Sequence, residues 1–357
     1  MSLSTLIDIP VRRALTSRIG QVDWDNLEFG QHMTDHMLIS DYAGGEWKTP
    51  NILPFGDFTL SPATLAFHYG QTIFEGMKAY RMEDGRIQIF RPQKHYERMV
   101  RSAERMCMPV VPQEIFIDGL HRLVETDRDW VSAKEGASLY LRPFLFATGT
   151  RLRVQASDSY RFAIVASPVM AYFEQPVRVK VEREFVRAAR GGTGYAKCGG
   201  NYGGAFYPAQ KAKEQGYDQV LWTDGKENRF IEESGAMNVF FVIDGQLVTP
   251  PLSDSILDGV TRDTLLALAR EQGFSAAETP VSVEQIKLGL ETGRINEAFG
   301  TGTAAVISPI CTIGIDGTDY DLPTLGGKAI GPVLKAALND IRYGRKPDTH
   351  GWNYIID

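Results

Sequence analysis

Gly191-Gly-Thr-Gly-Tyr-Ala-Lys197-Cys-Gly-Gly-Asn-Tyr-Gly-Gly204 sets a single lysine between two glycine-rich runs. Glycine has no Cβ, so this backbone turns tightly and approaches closely whatever it holds. A lysine taken out of water in such a place has its pKa drawn below the ordinary value of roughly 10.4, because desolvation disfavours the ammonium. Its neutral amine is then a nucleophile toward carbonyl carbon. The same pattern also fits a surface lysine in a flexible loop, and composition alone leaves both readings open.

The flanking sequence supplies alternating elements. Downstream, Ser234-Gly-Ala-Met-Asn-Val-Phe-Phe-Val-Ile243 reads as a turn feeding a strand, with Glu233 the acid before the turn. Asp244-Gly245 then signals a hairpin. Gly259-Val-Thr-Arg262 opens a helix near Thr261 that stops before Gly273. Val260 and Thr261 stand at its start, where free N–H groups and the helix dipole favour phosphate. Upstream, Ser138-Leu-Tyr-Leu-Arg-Pro143 alternates as a strand, and the short apolar run Arg161 to Ser167 reads as a buried one. Pro168 to Arg178, broken by Pro168 and Pro176, is the linker candidate; a boundary near 174 gives domains 1–174 and 175–357. Gln93 to Cys107 predicts an amphipathic helix with Tyr96, Met99, Val100, Ala103, Met106 and Cys107 on one face. Arg98, Arg101 and Arg105 lie off that stripe, where a solvated basic face is the plain expectation. Helices and strands are mixed throughout, so the class is α/β or α+β.

The whole chain sets wider bounds. Its 357 residues suggest two domains, and a chain this long buries ~75% of its unfolded surface without a metal or disulfide staple. Hydrophobic residues at 43% and charged residues at 23% exclude a disordered chain, a collagen and a coiled coil. A net charge of −6 argues against duplex nucleic acid and against an anionic membrane surface as partner. No apolar run reaches the ~18 residues of a membrane span, and the first residues lack the basic region of a signal peptide. Three widely spaced cysteines, Cys107, Cys198 and Cys311, make neither a disulfide framework nor a zinc site. A cytoplasmic location fits them best.

Several chemistries are absent as motifs. There is no phosphate loop of the G-x-x-x-x-G-K-[ST] type, no H-E-x-x-H and no G-x-S-x-G elbow. The six histidines make no metal spacing. Gly300-Thr-Gly-Thr-Ala-Ala305 does match the dinucleotide pattern G-x-G-x-x-A. Pro309 follows too soon for the required helix, so a turn whose N–H groups receive an anion is the better use of Thr301, Gly302 and Thr303.

Taken together, these segments resemble the branched-chain amino-acid aminotransferases, pyridoxal-phosphate (PLP) enzymes of fold type IV. The resemblance runs through Phe29-Gly30, Thr34-Asp-His-Met37, His68-Tyr69, Phe74-Glu-Gly-Met-Lys78, Phe90-Arg-Pro92, Ser138 to Pro143 and Ala171-Tyr-Phe173. Its most specific parts are Lys197-Cys-Gly-Gly-Asn-Tyr202, Glu233-Ser-Gly-Ala-Met-Asn238, Gly259-Val-Thr-Arg262 and Gly302-Thr-Ala304. It implies two α/β domains joined by a short linker, with the active site at their interface. It implies Lys197 as the lysine that binds PLP and moves the proton, Glu233 as the partner of the pyridine nitrogen and Tyr202 as the partner of the 3′-oxygen. Arg98 is implied as the arginine on the phosphate, against the plain reading of its helix face, together with Val260, Thr261 and Thr303.

On the substrate side the resemblance implies Tyr69, Thr303 and Ala304 for the α-carboxylate. Phe29, Phe74, Tyr140 and Tyr172 are implied as walls of an apolar pocket, and Arg142 as the receiver of glutamate's distal carboxylate. Leu152 and Val154 match a loop that reaches a partner subunit, which implies a homodimer. Three departures from the family stand out. Ala236 stands where threonine is frequent, Asp258 where proline is common, and Ala305 and Ser308 where mammalian members carry a redox pair of cysteines. The alternatives are a D-amino-acid aminotransferase or aminodeoxychorismate lyase of the same fold type, a dehydrogenase built on Gly300 to Ala305, and a non-catalytic binding protein. The long N-terminal region and the Tyr140–Arg142 pair speak against the other enzymes of the same fold type. Retention of Lys197, Glu233, Tyr202 and Arg98 together speaks against the last.

Overall fold

Strand Ser138–Ala147 shows how the sequence sorts itself in space. Side chains alternate across a strand, and Leu139, Leu141, Leu145 and Ala147 all enter one hydrophobic core. Tyr140, Arg142, Phe144 and Phe146 are therefore turned to the other face. The strand belongs to the first of two units in a computed structural model that describes residues 6–170, 175–324 and 326–356. That unit contains Met1–Ala171, Ala196–Gly200 and Ile341–Asp357; the second contains Tyr172–Tyr195 and Asn201–Asp340.

Among the described residues, the first unit holds a nine-stranded sheet with the path Asn353–Ile356, Ile87–Phe90, Met77–Arg81, Ser138–Ala147, Tyr160–Val169, His36–Ala43, Glu46–Trp47. Asn51–Pro54 adds to His36–Ala43, and Thr72–Phe74 to Ser138–Ala147. Helices Pro92–Arg105 and Gln113–Thr126 join the core, with Phe116, Leu120, Leu123 and Val124 wholly buried. The first of these is the helix predicted from residue 93 to 107. It begins with proline at its first turn, where the missing N–H is no loss. It ends two residues before the predicted stop, and Cys107 is exposed.

The second unit also holds nine described strands. Six of them close on themselves in the order Ile231–Ser234, Gln219–Thr223, Val177–Glu182, Val306–Ile315, Ile295–Gly302, Met237–Ile243, which returns to Ile231–Ser234. Closure leaves these strands no open edge. Leu221, Val239, Phe241, Ala298 and Ile313 fill the core. Asp244 and Gly245 both have positive φ, 51° and 79°, the backbone that a two-residue turn of type I′ requires.

Two expectations are corrected here. Pro168 does not begin a linker; it lies in strand Tyr160–Val169, paired with Leu139. Residues 171–174 lie outside the described part. The chain does not divide at one point near 174, because Ala196–Gly200 and the C-terminal strand belong to the first unit. The physical reason is backbone pairing: Asn353–Ile356 hydrogen-bonds to Ile87–Phe90.

Candidate active site

The lysine segment is held by main chain. Gly199 N–H donates to Thr72 C=O at 3.1 Å, and Phe74 N–H donates to Lys197 C=O at 3.0 Å. Cys198 forms a bridge with Ile73 and is buried. Lys197 N–H donates to Ser102 Oγ at 2.9 Å. The flexible-loop reading is thereby excluded. Lys197 is half-buried, and its ammonium lies over the Phe74 ring, 4.8 Å from the centroid. Burial first, and then the nearby Arg98 charge, pull the amine down from 10.5 to about 8.

Arg98 is 4% exposed, so its helix face is not solvated at that position. Its Nε donates to Glu75 Oε1 at 2.8 Å and its Nη2 to Glu75 Oε2 at 2.7 Å. His95 Nδ1 meets the same Oε2 at 2.7 Å. Burial alone raises the Glu75 carboxyl. The Arg98 charge and hydrogen bonds, with His95, outweigh it and hold the carboxyl far below the usual range. Burial also lowers the His95 pKa, so this imidazole is neutral at pH 7 and donates from Nδ1. The paired guanidinium is fixed in direction, as bidentate Arg–carboxylate geometry dictates. Sequence reading did not single out Glu75 or His95. Their signal was weak: an acid and a histidine 23 and 3 residues before an arginine.

The strand face away from the core carries Tyr140 and Arg142. Arg142 Nη2 donates to the Tyr140 hydroxyl at 2.9 Å. Its guanidinium lies 4.6 Å from the Phe74 ring centroid and 5.3 Å from that of Tyr140. Phe29 packs edge-on against Tyr140 at 4.9 Å. The first unit thus brings Lys197, Phe74, Tyr140, Arg142 and Phe29 together. Tyr69 ends the short helix Leu65–Tyr69 and is 40% exposed. Leu152 and Val154 are exposed after strand Ser138–Ala147. Tyr172 lies outside the described residues.

In the second unit, Glu233 is 2% exposed. Its Oε1 accepts the Leu257 N–H at 2.7 Å, and its Oε2 lies 3.1 Å from Arg187 Nε. The latter is a close charge contact rather than an aligned hydrogen bond. Arg187 Nη2 also donates to Gly194 C=O and Ser255 C=O. Neighbouring Glu232 accepts from the Ser255 hydroxyl. Burial raises the Glu232 pKa to about 7, with Ser255 and Arg187 opposing. A cavity of about 200 Å³ is lined by Tyr202, Glu233, Ala236, Leu257, Arg187 and Trp222. Arg187 and Glu232 were not found from sequence, because nothing periodic marks them.

Helix Val260–Glu271 begins as expected, at Gly259, with no side chain capping it. Val260 and Thr261 are buried at its first turn. Thr303 and Ala304 occupy the turn between strands Ile295–Gly302 and Val306–Ile315. A strand, not a helix, follows Gly300 to Ala305, so the dinucleotide fingerprint is excluded. Asp258 is half-buried beside the helix start.

Residues 72–313 match the family described as amino-transferase class IV. The chain belongs to that family. This class IV aminotransferase is 45% identical over 342 residues to "Branched-chain-amino-acid transaminase 1" of Bacillus subtilis, covering 94% of this chain and 95% of the relative. Its fold is similar to the branched-chain amino acid aminotransferase of Escherichia coli, with a TM-score of 0.72, 27% identity and coverage of 90% and 99%. It also shares its fold with the branched-chain amino acid aminotransferase of Thermobaculum terrenum, solved in its PLP-form. There the TM-score is 0.76 and the identity 24%, over 92% and 100% of the two chains. The fold type IV architecture expected from sequence is the one this class IV aminotransferase has.

Proposed function

We infer that the protein is a PLP-dependent branched-chain amino-acid aminotransferase. It moves the amino group of L-leucine, L-isoleucine or L-valine to 2-oxoglutarate, giving L-glutamate and the branched 2-oxo acid. The observation that carries the reading is Lys197: an amine with a pKa near 8, fixed by its own backbone bonds. At pH 7 about one such amine in ten is neutral, far more than for an ordinary lysine, and that fraction is the nucleophile and base.

The remaining residues present fit PLP. A buried carboxylate, Glu233, has one oxygen fixed by Leu257 N–H, which suits it to hold a proton on a ring nitrogen. An uncapped helix start at Val260 and Thr261 suits a phosphate. Arg98 and Thr303 are assigned to the same phosphate, and Tyr202 to the 3′-oxygen. When bound, PLP supplies the electron sink that makes the substrate's Cα–H acidic. Lys197 Nζ would take that proton and hold it for return. Tyr69, Thr303 and Ala304 are assigned to the α-carboxylate. Phe29, Phe74 and Tyr140 are assigned to the apolar side chain, and the resemblance assigns Tyr172 to it as well. Arg142, held between two aromatic rings, offers glutamate's distal carboxylate a planar partner.

The visible spectrum tests this directly. A yellow band that L-leucine removes and 2-oxoglutarate restores is expected. A yellow protein indifferent to L-leucine would move the assignment to another class IV activity, and a protein colourless with added PLP would overturn the reading.

The exposed apolar pair Leu152 and Val154, 69% and 83% accessible, supports a homodimer in which this loop reaches the partner. The three cysteines are unpaired, which supports a cytoplasmic location. Among the described residues no helix is long and apolar enough to cross a membrane.

A further inference from the structure

Gly76 is buried in the main chain just before strand Met77–Arg81. A Cβ built on it would stand 2.0 Å from the Tyr140 hydroxyl oxygen and 2.8 Å from Cζ. The hydroxyl therefore occupies the space that any other residue's side chain would fill. Gly76 has no positive φ, so its backbone accepts alanine, and the three atoms nearest that Cβ all belong to Tyr140.

Tyr140 has little room to move. It is 8% exposed, with Phe29 against its ring and Arg142 over it. Its hydroxyl lies on the ring axis, so rotation of the ring leaves it in place. Only a change at χ1 or in the backbone carries it away, and χ1 has discrete wells. The hydroxyl accepts the one hydrogen bond that the Arg142 side chain makes among the described residues, from Nη2 at 2.9 Å. Arg142 Nε is buried and has no partner, and no carboxylate among the described residues pairs with this guanidinium. Two aromatic faces and one hydroxyl thus set the direction of a cation that lacks a counter-ion there.

We propose that Gly76 is a specificity-determining position: its missing side chain seats the Tyr140 hydroxyl, and that hydroxyl aims Arg142 at the distal carboxylate of the dicarboxylic substrate. The proposal rests on the reading of Arg142 given above. A Cβ at Gly76 forces the hydroxyl to retreat by more than about 1 Å to reach ordinary contact. A misplacement of that size weakens binding by about ten-fold or more. Branched substrates present no distal charge and meet Tyr140 only as an apolar wall, so the larger loss falls on glutamate.

The test uses PLP-loaded full-length protein and single-turnover half-reactions, with L-leucine alone or L-glutamate alone, followed by loss of the yellow band. The variants are Gly76→Ala, Tyr140→Phe and both together. Gly76→Ala is expected to lower the L-glutamate to L-leucine preference by about ten-fold or more, mainly through the apparent dissociation constant. Tyr140→Phe, which deletes the hydroxyl, is expected to shift the preference the same way. The double variant is expected to fall short of the product of the two single effects, since deleting the hydroxyl removes the 2.0 Å contact and leaves the milder one at Cζ, and neighbouring changes acting through one contact do not add. Equal weakening toward both amino acids, or multiplied effects in the double variant, would overturn the proposal. Should Gly76→Ala not fold, an unchanged preference in Tyr140→Phe would overturn it alone. A wild-type protein that reacts with neither amino acid defeats the proposed function instead, which separates the two failures.

Discussion

Lys197→Met, studied without cofactor, tests whether the Lys197 amine carries the desolvation penalty described above. In the folded chain burial and Arg98 pull the amine from 10.5 to about 8. Each pKa unit is worth about 1.4 kcal/mol, so a fully protonated Lys197 destabilises the fold by roughly 2–3 kcal/mol, allowing for partial water access. Below pH 8 folded and unfolded chains both hold the proton, and the whole penalty is present. Between about pH 8 and 10.5 the unfolded chain holds more protons than the folded one, so stability rises with pH through that window. Methionine is similar in length and uncharged, and it removes the penalty at every pH. Urea unfolding at pH 7 should therefore find Lys197→Met more stable than wild type by about 2–3 kcal/mol. The gap should shrink toward zero by pH 10. A variant less stable than wild type at pH 7, or a gap independent of pH, would refute the claim that Lys197 is desolvated.

Three further outcomes are expected. Glu75→Gln strands the Arg98 charge in the interior, and removing one partner of a buried pair typically costs about 3–5 kcal/mol, measurable by urea unfolding at pH 7. Glu232→Gln acts in the opposite sense. The Glu232 carboxyl is raised to about 7, so the folded chain holds the extra proton between its unfolded value and pH 7, and wild-type stability falls as pH rises through that range. The amide variant should lose this slope and be the more stable protein at pH 8, by thermal melts across pH 5–8. Leu152→Asp with Val154→Asp should halve the mass seen by light scattering if this loop joins two subunits; an unchanged dimer would place the interface elsewhere.

Local patterns carried much of the architecture. Alternation in Ser138 to Pro143 located a strand that proved longer, because its continuation through Pro143 and Phe144 is stabilised by pairing with Tyr160–Val169. Asp244-Gly245 declared its turn, since few residues accept two successive positive φ values. The linker was misread because Pro168 can sit in a strand where its absent N–H is not needed.

The sequence alone determined the lysine between its glycines, the acid before the Ser234-Gly235 turn, the helix start at Gly259 and the family they belong to. Each is a short stretch whose backbone demands are written in adjacent residues. Only the tertiary structure decided what surrounds them. Glu75 and His95 brace Arg98, Arg187 approaches Glu233, the Tyr140 hydroxyl rests where Gly76 has no side chain, and the last strand returns to the first sheet. These contacts join residues far apart in the chain. A buried charge pair and a missing Cβ leave no periodic trace, because their worth depends on what the fold brings opposite them.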